Sequence, residues 1–126
     1  MSSRPASDVT DRVVIVTGAG RGIGRGIARH LGQSGARLVV AEYRQKRLDD
    51  VTAELRDLGV EHLAVACDVG ERAQIDAMVA ATVAEFGRVD GVVNNAVSLV
   101  ASKPLEEVTE ADMDLLHRTG TNGTLF

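Results

Sequence analysis

The sequence is poor in aromatic residues and in cysteine, and both shortages narrow the possible folds. Only Tyr43, Phe86 and Phe126 are aromatic among 126 residues, and tryptophan is absent. A core must therefore be built from Val, Leu, Ile and Ala, whose small side chains suit the stacked sheet and helix layers of an α/β domain. Cys67 is the single cysteine, which excludes an intramolecular disulfide and favours a reducing compartment such as the cytoplasm.

Long apolar runs and blocks of like charge are also missing. No stretch approaches the roughly 20 apolar residues that span a bilayer, and the formal charge of -4 comes without a Lys/Arg-rich block. These features argue against nucleic acid or a membrane as partner. His30, His62 and His117 share no spacing typical of metal ligands, so we expect no metal. We predict one domain over residues 11–126, preceded by a flexible lead-in at residues 1–10.

Apolar residues follow a pattern in which short strands alternate with helices. Three segments have apolar residues at helical spacing and end at a glycine, which predicts three helices. Thr109, with Asp112 three residues later, predicts the start of a fourth. Crossovers of this length imply a right-handed, doubly wound parallel sheet of Rossmann type, truncated after about four βα units, with helices on both faces. Its buried strands are predicted at residues 13–17, 37–41, 62–66 and 89–94.

A glycine-rich loop, TGAGRGIG at residues 17–24, joins the first predicted strand to the first predicted helix. Glycines allow positive φ and a close approach of backbone to phosphate, and a helix N-terminus supplies free N–H groups. The position fits a dinucleotide pyrophosphate, and the structural alternative is a tight turn with close helix packing. A P-loop is excluded because no Gly-Lys-Ser/Thr ends the loop. On the loop alone, a Rossmann methyltransferase stays open.

Three motifs, in chain order, resemble the short-chain dehydrogenase/reductase family. Residues 17–24 have its TGxxxGxG spacing, residues 67–69 (CDV) are similar to its adenine-pocket segment, and residues 94–96 (NNA) are similar to its NNAG motif. A methyltransferase does not explain the three together. The resemblance implies a nicotinamide cofactor, an alcohol or carbonyl substrate, and hydride transfer between them. It also implies that the full-length form is a homo-oligomer.

The same resemblance assigns cofactor contacts residue by residue. The glycine loop would wrap the pyrophosphate and nearby ribose, Asp68 and Val69 the adenine, and the NNA segment the adenosine ribose side. Taken singly, Asp68 could instead cap the third helix, and the two asparagines could satisfy backbone groups at the end of the sheet. The implied set is Gly18, Gly20, Arg21, Gly22, Ile23, Gly24, Glu42, Asp68, Val69, Asn94, Asn95 and Ala96.

Glu42 bears on the choice between NAD and NADP. It lies 18 residues after Gly24, close to the roughly 20 expected for an acid that binds the ribose, and a carboxylate there repels a 2′-phosphate. Arg21 and Arg44 act in the opposite direction, because an arginine beside the ribose could pair with that phosphate, although either could be a solvated surface charge. The balance favours NAD.

The proton-relay residues that the resemblance implies are an asparagine, a serine and a Tyr-x-x-x-Lys pair. Tyr43 comes too early in the chain and has Arg47 four residues on. Val97 stands where the NNAG motif has its last glycine. Alignment through the last predicted helix puts Gly120 where the family has its asparagine, and a register slip of two residues would put Asn122 there instead. We therefore predict no catalytic residue here and no turnover by these residues alone. A non-catalytic dinucleotide-binding or interaction module is the alternative to the cofactor-binding part of an oxidoreductase.

A sheet that ends at the fourth predicted strand has an unpaired edge. That strand is hydrophobic from Val89 to Val93, and such an edge invites association with other chains. We therefore expect poor solubility when this chain is expressed alone.

Overall fold

The computed structural model describes residues 7–125, so most of the predicted lead-in lies outside the described residues. Four parallel strands form one sheet in the order β3-β2-β1-β4. The strands are β1 (Val13–Thr17), β2 (Arg37–Glu42), β3 (His62–Ala66) and β4 (Gly91–Val93). The α-helices are α1 (Gly22–Gln33), α2 (Gln45–Asp57), α3 (Arg72–Phe86), α4 (Glu110–Leu116) and α5 (Gly123–Leu125).

The sheet is covered on both faces, which confirms the doubly wound prediction. Side chains of β1 alternate between the two faces. Val14 and Val16 pack with the apolar stripes of α1 and α2, whereas Val13 and Ile15 pack with residues of α3. All of β1 is buried, as expected for a β-branched strand with a neighbour on each side and helices on both faces.

The prediction of a strand over residues 89–94 was wrong at both ends, since β4 covers only Gly91–Val93 and pairs with β1. Side chains add to or take over the backbone hydrogen bonds near the two boundaries. Before the strand, the N–H of Asp90 donates to the carbonyl of Val13 at 2.8 Å, and its carboxylate accepts the N–H of Val13 at 2.8 Å. After the strand, the hydroxyl of Thr17 accepts the N–H groups of Asn95 and Ala96.

The last helix begins where the sequence predicts and then changes its winding. Thr109 and Asp112 form a reciprocal capping box at the start of α4, which confirms the predicted N-terminus. The chain continues into a π-helical segment, His117–Asn122, before α5. Thr119 in this segment is buried, accepts the N–H of Ser98 at 3.0 Å and donates to the carbonyl of Leu115. The segment is therefore fixed against the loop that follows β4.

Candidate functional site

The carboxyl ends of the strands open into a cleft of about 730 Å³. The glycine loop and the end of β2 form one side of this cleft, and the loops after β3 and β4 form the other. The π-helical segment closes one flank through Arg118 and Thr119. In a sheet of order 3-2-1-4, β1 is the point at which the chain reverses its winding direction, which is where ligands bind in open α/β folds.

The start of α1 is an anion-binding end. Within residues 7–125, the backbone N–H groups of residues 21–24 have no acceptor, as expected for the first turn of a helix. No side chain caps this end, and the first turn holds no acidic residue. Arg21, Gly22 and Ile23 line the cleft. Free amides and the positive end of the helix dipole therefore face a space that could take a phosphate group.

Three glycines of the loop are required by close contacts. A Cβ on Gly24 would lie 2.2 Å from the carbonyl oxygen of Gly18, and one on Gly20 would lie 2.5 Å from Cβ of Arg47. Gly18 has φ +63°, and a Cβ there would lie 2.8 Å from Nδ2 of Asn95. Gly18 lines the cleft, whereas Gly20 and Gly24 do not. The latter two shape the loop by allowing its neighbours to approach.

Glu42 is a buried carboxylate at the end of β2, with 6% of its surface exposed. Its Oε2 accepts the N–H of Gly20 at 3.0 Å, and its Oε1 accepts the N–H of Arg44 at 3.3 Å. The side chain therefore ties the glycine loop to the turn after β2. The same residue borders the cleft, so its negative charge is presented to whatever binds there.

The cleft is positive in a chain whose net charge is -4. This local excess would attract an anionic ligand. The charged residues that line the cleft are Arg21, Arg44, Arg47 and Arg118 against Glu42 and Asp68.

The loop after β3 is ordered by its own side chains. Oδ1 of Asp68 accepts the N–H of Gly70 at 2.8 Å, and the N–H of Asp68 donates to the side-chain oxygen of Gln74 at 2.8 Å. Glu71, rather than Asp68, occupies the N-cap position of α3, and no side chain caps that helix. Beside this turn, burial raises the pKa of the Cys67 thiol above 9.0, and the charge of Asp68 raises it further. Cys67 is therefore a protonated, apolar wall of the cleft.

The NNA segment divides between two faces. Asn95 and Ala96 line the cleft, and Nδ2 of Asn95 donates to the carbonyls of Thr17 and Gly18 at 3.2 Å each. Asn94 lies in a second cleft of about 200 Å³ on the side of α3, which Val69 also lines. Consecutive residues at a strand end point to opposite faces, so the structure brings Asn94 together with Val69 and not with the predicted residues that line only the first cleft.

The residues missed by the sequence reasoning fall into two kinds. Thr17 belongs to the glycine motif, and its place at the end of β1 was the signal that its hydroxyl could reach the neighbouring strand. Arg47 and Arg118 carried no such signal, because they reach the cleft only through the placement of α2 and of the π-helical segment. Tyr43 is exposed at the rim of the cleft.

Residues 7–125 contain neither a candidate membrane-spanning helix nor a candidate metal-binding cluster. No helix there is long and apolar enough to cross a membrane. In the same range, no group of three or more His, Cys, Asp or Glu residues is arranged to hold a metal ion.

Sequence matches to known proteins cover nearly all of the chain. The family model described as short chain dehydrogenase matches residues 12–126. The sequence is 37% identical over 115 residues to levodione reductase of Leifsonia aquatica, covering 90% of this chain and 43% of that protein. The chain thus spans less than half the length of that curated relative.

Solved structures give the same result. A short-chain dehydrogenase/reductase from Burkholderia phymatum in complex with NAD is 30% identical with a TM-score of 0.88, over 94% of this chain and 42% of that one. A metagenomic short-chain oxidoreductase in complex with NADP is 35% identical with a TM-score of 0.85, over 94% and 54%. Since the family match takes in the glycine loop, the loop after β3 and the NNA segment together, this chain belongs to the short-chain dehydrogenase/reductase family.

Proposed function

We propose that this chain is the part of a short-chain oxidoreductase that binds its nicotinamide dinucleotide, and that the cleft at the carboxyl ends of the strands holds the cofactor. The observation that carries the proposal is the start of α1, where free N–H groups and Arg21 face a positively charged cleft. A pyrophosphate is the group that such an end accommodates best. Similar proteins in complex with NAD and with NADP support the same ligand class.

Each part of the cleft has a distinct task in this proposal. Arg21, Gly22 and Ile23 would hold the pyrophosphate, and Gly18 would let it approach the backbone without a Cβ in the way. The loop of Asp68 and Val69 would hold the adenine, with Asp68 kept in place by the N–H of Gly70. When bound, the nicotinamide gives or accepts the hydride that is exchanged with an alcohol or carbonyl substrate.

We propose NAD as the preferred cofactor. Glu42 borders the cleft and is fixed by two backbone N–H groups, so it cannot swing away to admit a 2′-phosphate without breaking both hydrogen bonds. Arg44 and Arg47 lie beside it and would favour that phosphate. The carboxylate is held at the cleft by its hydrogen bond to the glycine loop, through the N–H of Gly20.

Calorimetric titration of the purified chain with NAD⁺ and with NADP⁺ tests both parts of this proposal. We expect NAD⁺ to bind more tightly, and Glu42→Ala to narrow the difference. Glu61→Ala removes an exposed carboxylate that does not line the cleft, so it serves as the matched control and should leave the preference unchanged. A folded chain that binds neither nucleotide would overturn the proposed site, and tighter binding of NADP⁺ would overturn the preference.

A non-catalytic dinucleotide-binding or interaction module is the second candidate. Gly120, at the position of the family's asparagine, packs towards Val97 and brings no polar side chain to the cleft. These 126 residues contain no Tyr-x-x-x-Lys, so we propose that alone they bind the cofactor without turnover. Sequencing the gene beyond codon 126 separates the candidates. An in-frame continuation with Ser and Tyr-x-x-x-Lys favours the oxidoreductase, and a stop codon favours the module.

A further inference from the structure

Arg118 crosses from the π-helical segment to the loop after β3. A Cβ on Gly70 would lie 2.8 Å from its Nε and 3.3 Å from its Cγ, so the side chain runs directly along this glycine. The guanidinium also lines the same cleft as Asp68 and Val69. Arg118 therefore forms the flank of the cleft at the loop to which adenine binding is assigned above.

The guanidinium of Arg118 has N–H donors and a planar face that are available to a ligand. Among residues 7–125 its ion-pair partner is Glu71, with Nη1 and Oε1 3.9 Å apart, and no hydrogen bond of the guanidinium is found there. Both side chains are about half exposed, at 50% and 53%, so this pair contributes little to holding the arginine. A guanidinium carries five N–H donors and stacks readily on flat ring systems.

Gly70 allows the arginine to take this path. Its φ is not in the left-handed region, so an alanine there meets no backbone strain. Its methyl group would press most closely on Nε of Arg118, at 2.8 Å, and also on Oδ1 of Asp68, at 3.1 Å. Gly70→Ala would therefore displace the guanidinium without changing any charge, and would press on Asp68 as well. It gives a second perturbation on the same side of the cleft.

We propose that Arg118 is a cofactor-binding residue that covers the adenine ring by stacking its guanidinium on the purine. This inference rests on the proposed dinucleotide site. It identifies a contact in a segment to which no cofactor role was assigned from the sequence. A planar cation over a planar base adds affinity beyond charge alone.

Calorimetric titration with AMP, ADP-ribose and inorganic pyrophosphate tests the assignment in the full 126-residue chain. Stacking of this kind predicts that Arg118→Ala weakens AMP and ADP-ribose by about three- to thirtyfold and leaves pyrophosphate unchanged. Arg118→Lys keeps the charge without the plane and should behave like the alanine variant. Gly70→Ala should weaken AMP in the same direction, and Arg56→Ala, on the exposed end of α2, should change nothing.

The outcomes separate this inference from the proposed function. If the unmodified, folded chain binds neither AMP nor ADP-ribose, the dinucleotide site itself fails. If it binds both but Arg118→Ala leaves them unchanged, the stacking role is refuted while the site stands. Full recovery in Arg118→Lys, or an equal loss for pyrophosphate, would make Arg118 a phosphate contact and would also refute stacking. Thermal unfolding of each variant checks that the affinities refer to folded protein.

Discussion

Thr17 joins the glycine loop to the loop after β4, and its replacement by valine tests that connection. Its Oγ1 accepts the N–H groups of Asn95 at 3.1 Å and Ala96 at 3.0 Å, and its hydrogen is donated to the carbonyl of Val93 at 3.3 Å. These three bonds use the full capacity of a hydroxyl. Thr17 is 4% exposed, and valine has nearly the same shape, so the change removes hydrogen bonds without opening a cavity.

The size of the effect follows from the two N–H groups that lose their acceptor. A buried N–H without a partner costs about 1–3 kcal/mol, and the lower end applies because Asn95 and Ala96 are only half-buried. The additional methyl group of valine recovers about 0.8 kcal/mol of apolar burial. The carbonyl of Val93 loses its donor as well, at about 1 kcal/mol. With about 1 kcal/mol for each N–H group and the methyl gain subtracted, we expect Thr17→Val to lower the free energy of unfolding by about 2 kcal/mol, and the Tm by roughly 6–10 °C for a domain of this size.

Urea unfolding followed by circular dichroism measures this loss, with Thr17→Ser as the matched control. Serine keeps the hydroxyl and removes only a methyl group, so it should be the more stable of the two variants. The reasoning would be refuted if Thr17→Val unfolded within about 0.5 kcal/mol of the unmodified chain, the usual range for a neutral surface change. It would also be refuted if Thr17→Ser lost as much stability as Thr17→Val.

Three further predictions concern packing, pH and association. Gly24→Ala should destabilise the protein by about 1–3 kcal/mol, because its Cβ would meet a backbone carbonyl at 2.2 Å. At Gly26 a Cβ meets nothing within 4 Å, so Gly26→Ala should stabilise α1 by up to about 1 kcal/mol. Thermal unfolding of the two variants compares these effects. The pKa of Asp90 is held below 3.8 by the N–H at the start of β1 and then by Arg88. The carboxylate therefore stabilises the fold above the unfolded-state pKa, and this effect is lost as the pH falls through the lower folded-state pKa. We expect the unmodified chain to be more stable than Asp90→Asn, and this difference to shrink below about pH 4. Urea unfolding at a series of pH values measures it. Val92→Lys, at a position 49% exposed on β4, should reduce self-association in sedimentation velocity, and monomeric behaviour of the unmodified chain at high concentration would contradict the premise.

Strands whose ends are set by backbone pairing could be predicted from the sequence. The sequence pattern predicted β1 and β3 at their observed bounds, and β2 extends one residue further, to Glu42. β4 is shorter than predicted, and beyond it the hydroxyl of Thr17, rather than a backbone carbonyl, accepts the N–H groups of Asn95 and Ala96. An apolar run does not reveal such a substitution, since it depends on which side chains neighbouring strands bring into reach.

The candidate site divides in the same way. Motif spacing located Arg21, Glu42 and Asp68, because each follows a strand end and the ends of parallel strands meet at one edge. Asn94 was grouped with Asn95 through the NNA motif, and the structure places the two residues in different clefts because alternation along a strand directs neighbours to opposite faces. Arg118 depends on the change of winding after α4, which no periodic pattern in the sequence announced.

Val97 and Gly120, which we predict to depart from the family pattern, are neighbours in the structure. A Cβ at Gly120 would lie 3.3 Å from Cγ2 of Val97, tighter than ordinary packing, so a side chain at residue 120 would require the valine to shift. The hydroxyl of Thr119 holds this region together by accepting the N–H of Ser98. Glycine at residue 120 fits beside the valine and brings no amide to the cleft. This packing keeps the fold and the shape of the cleft without a polar side chain at residue 120, so binding and catalysis must be tested as separate properties.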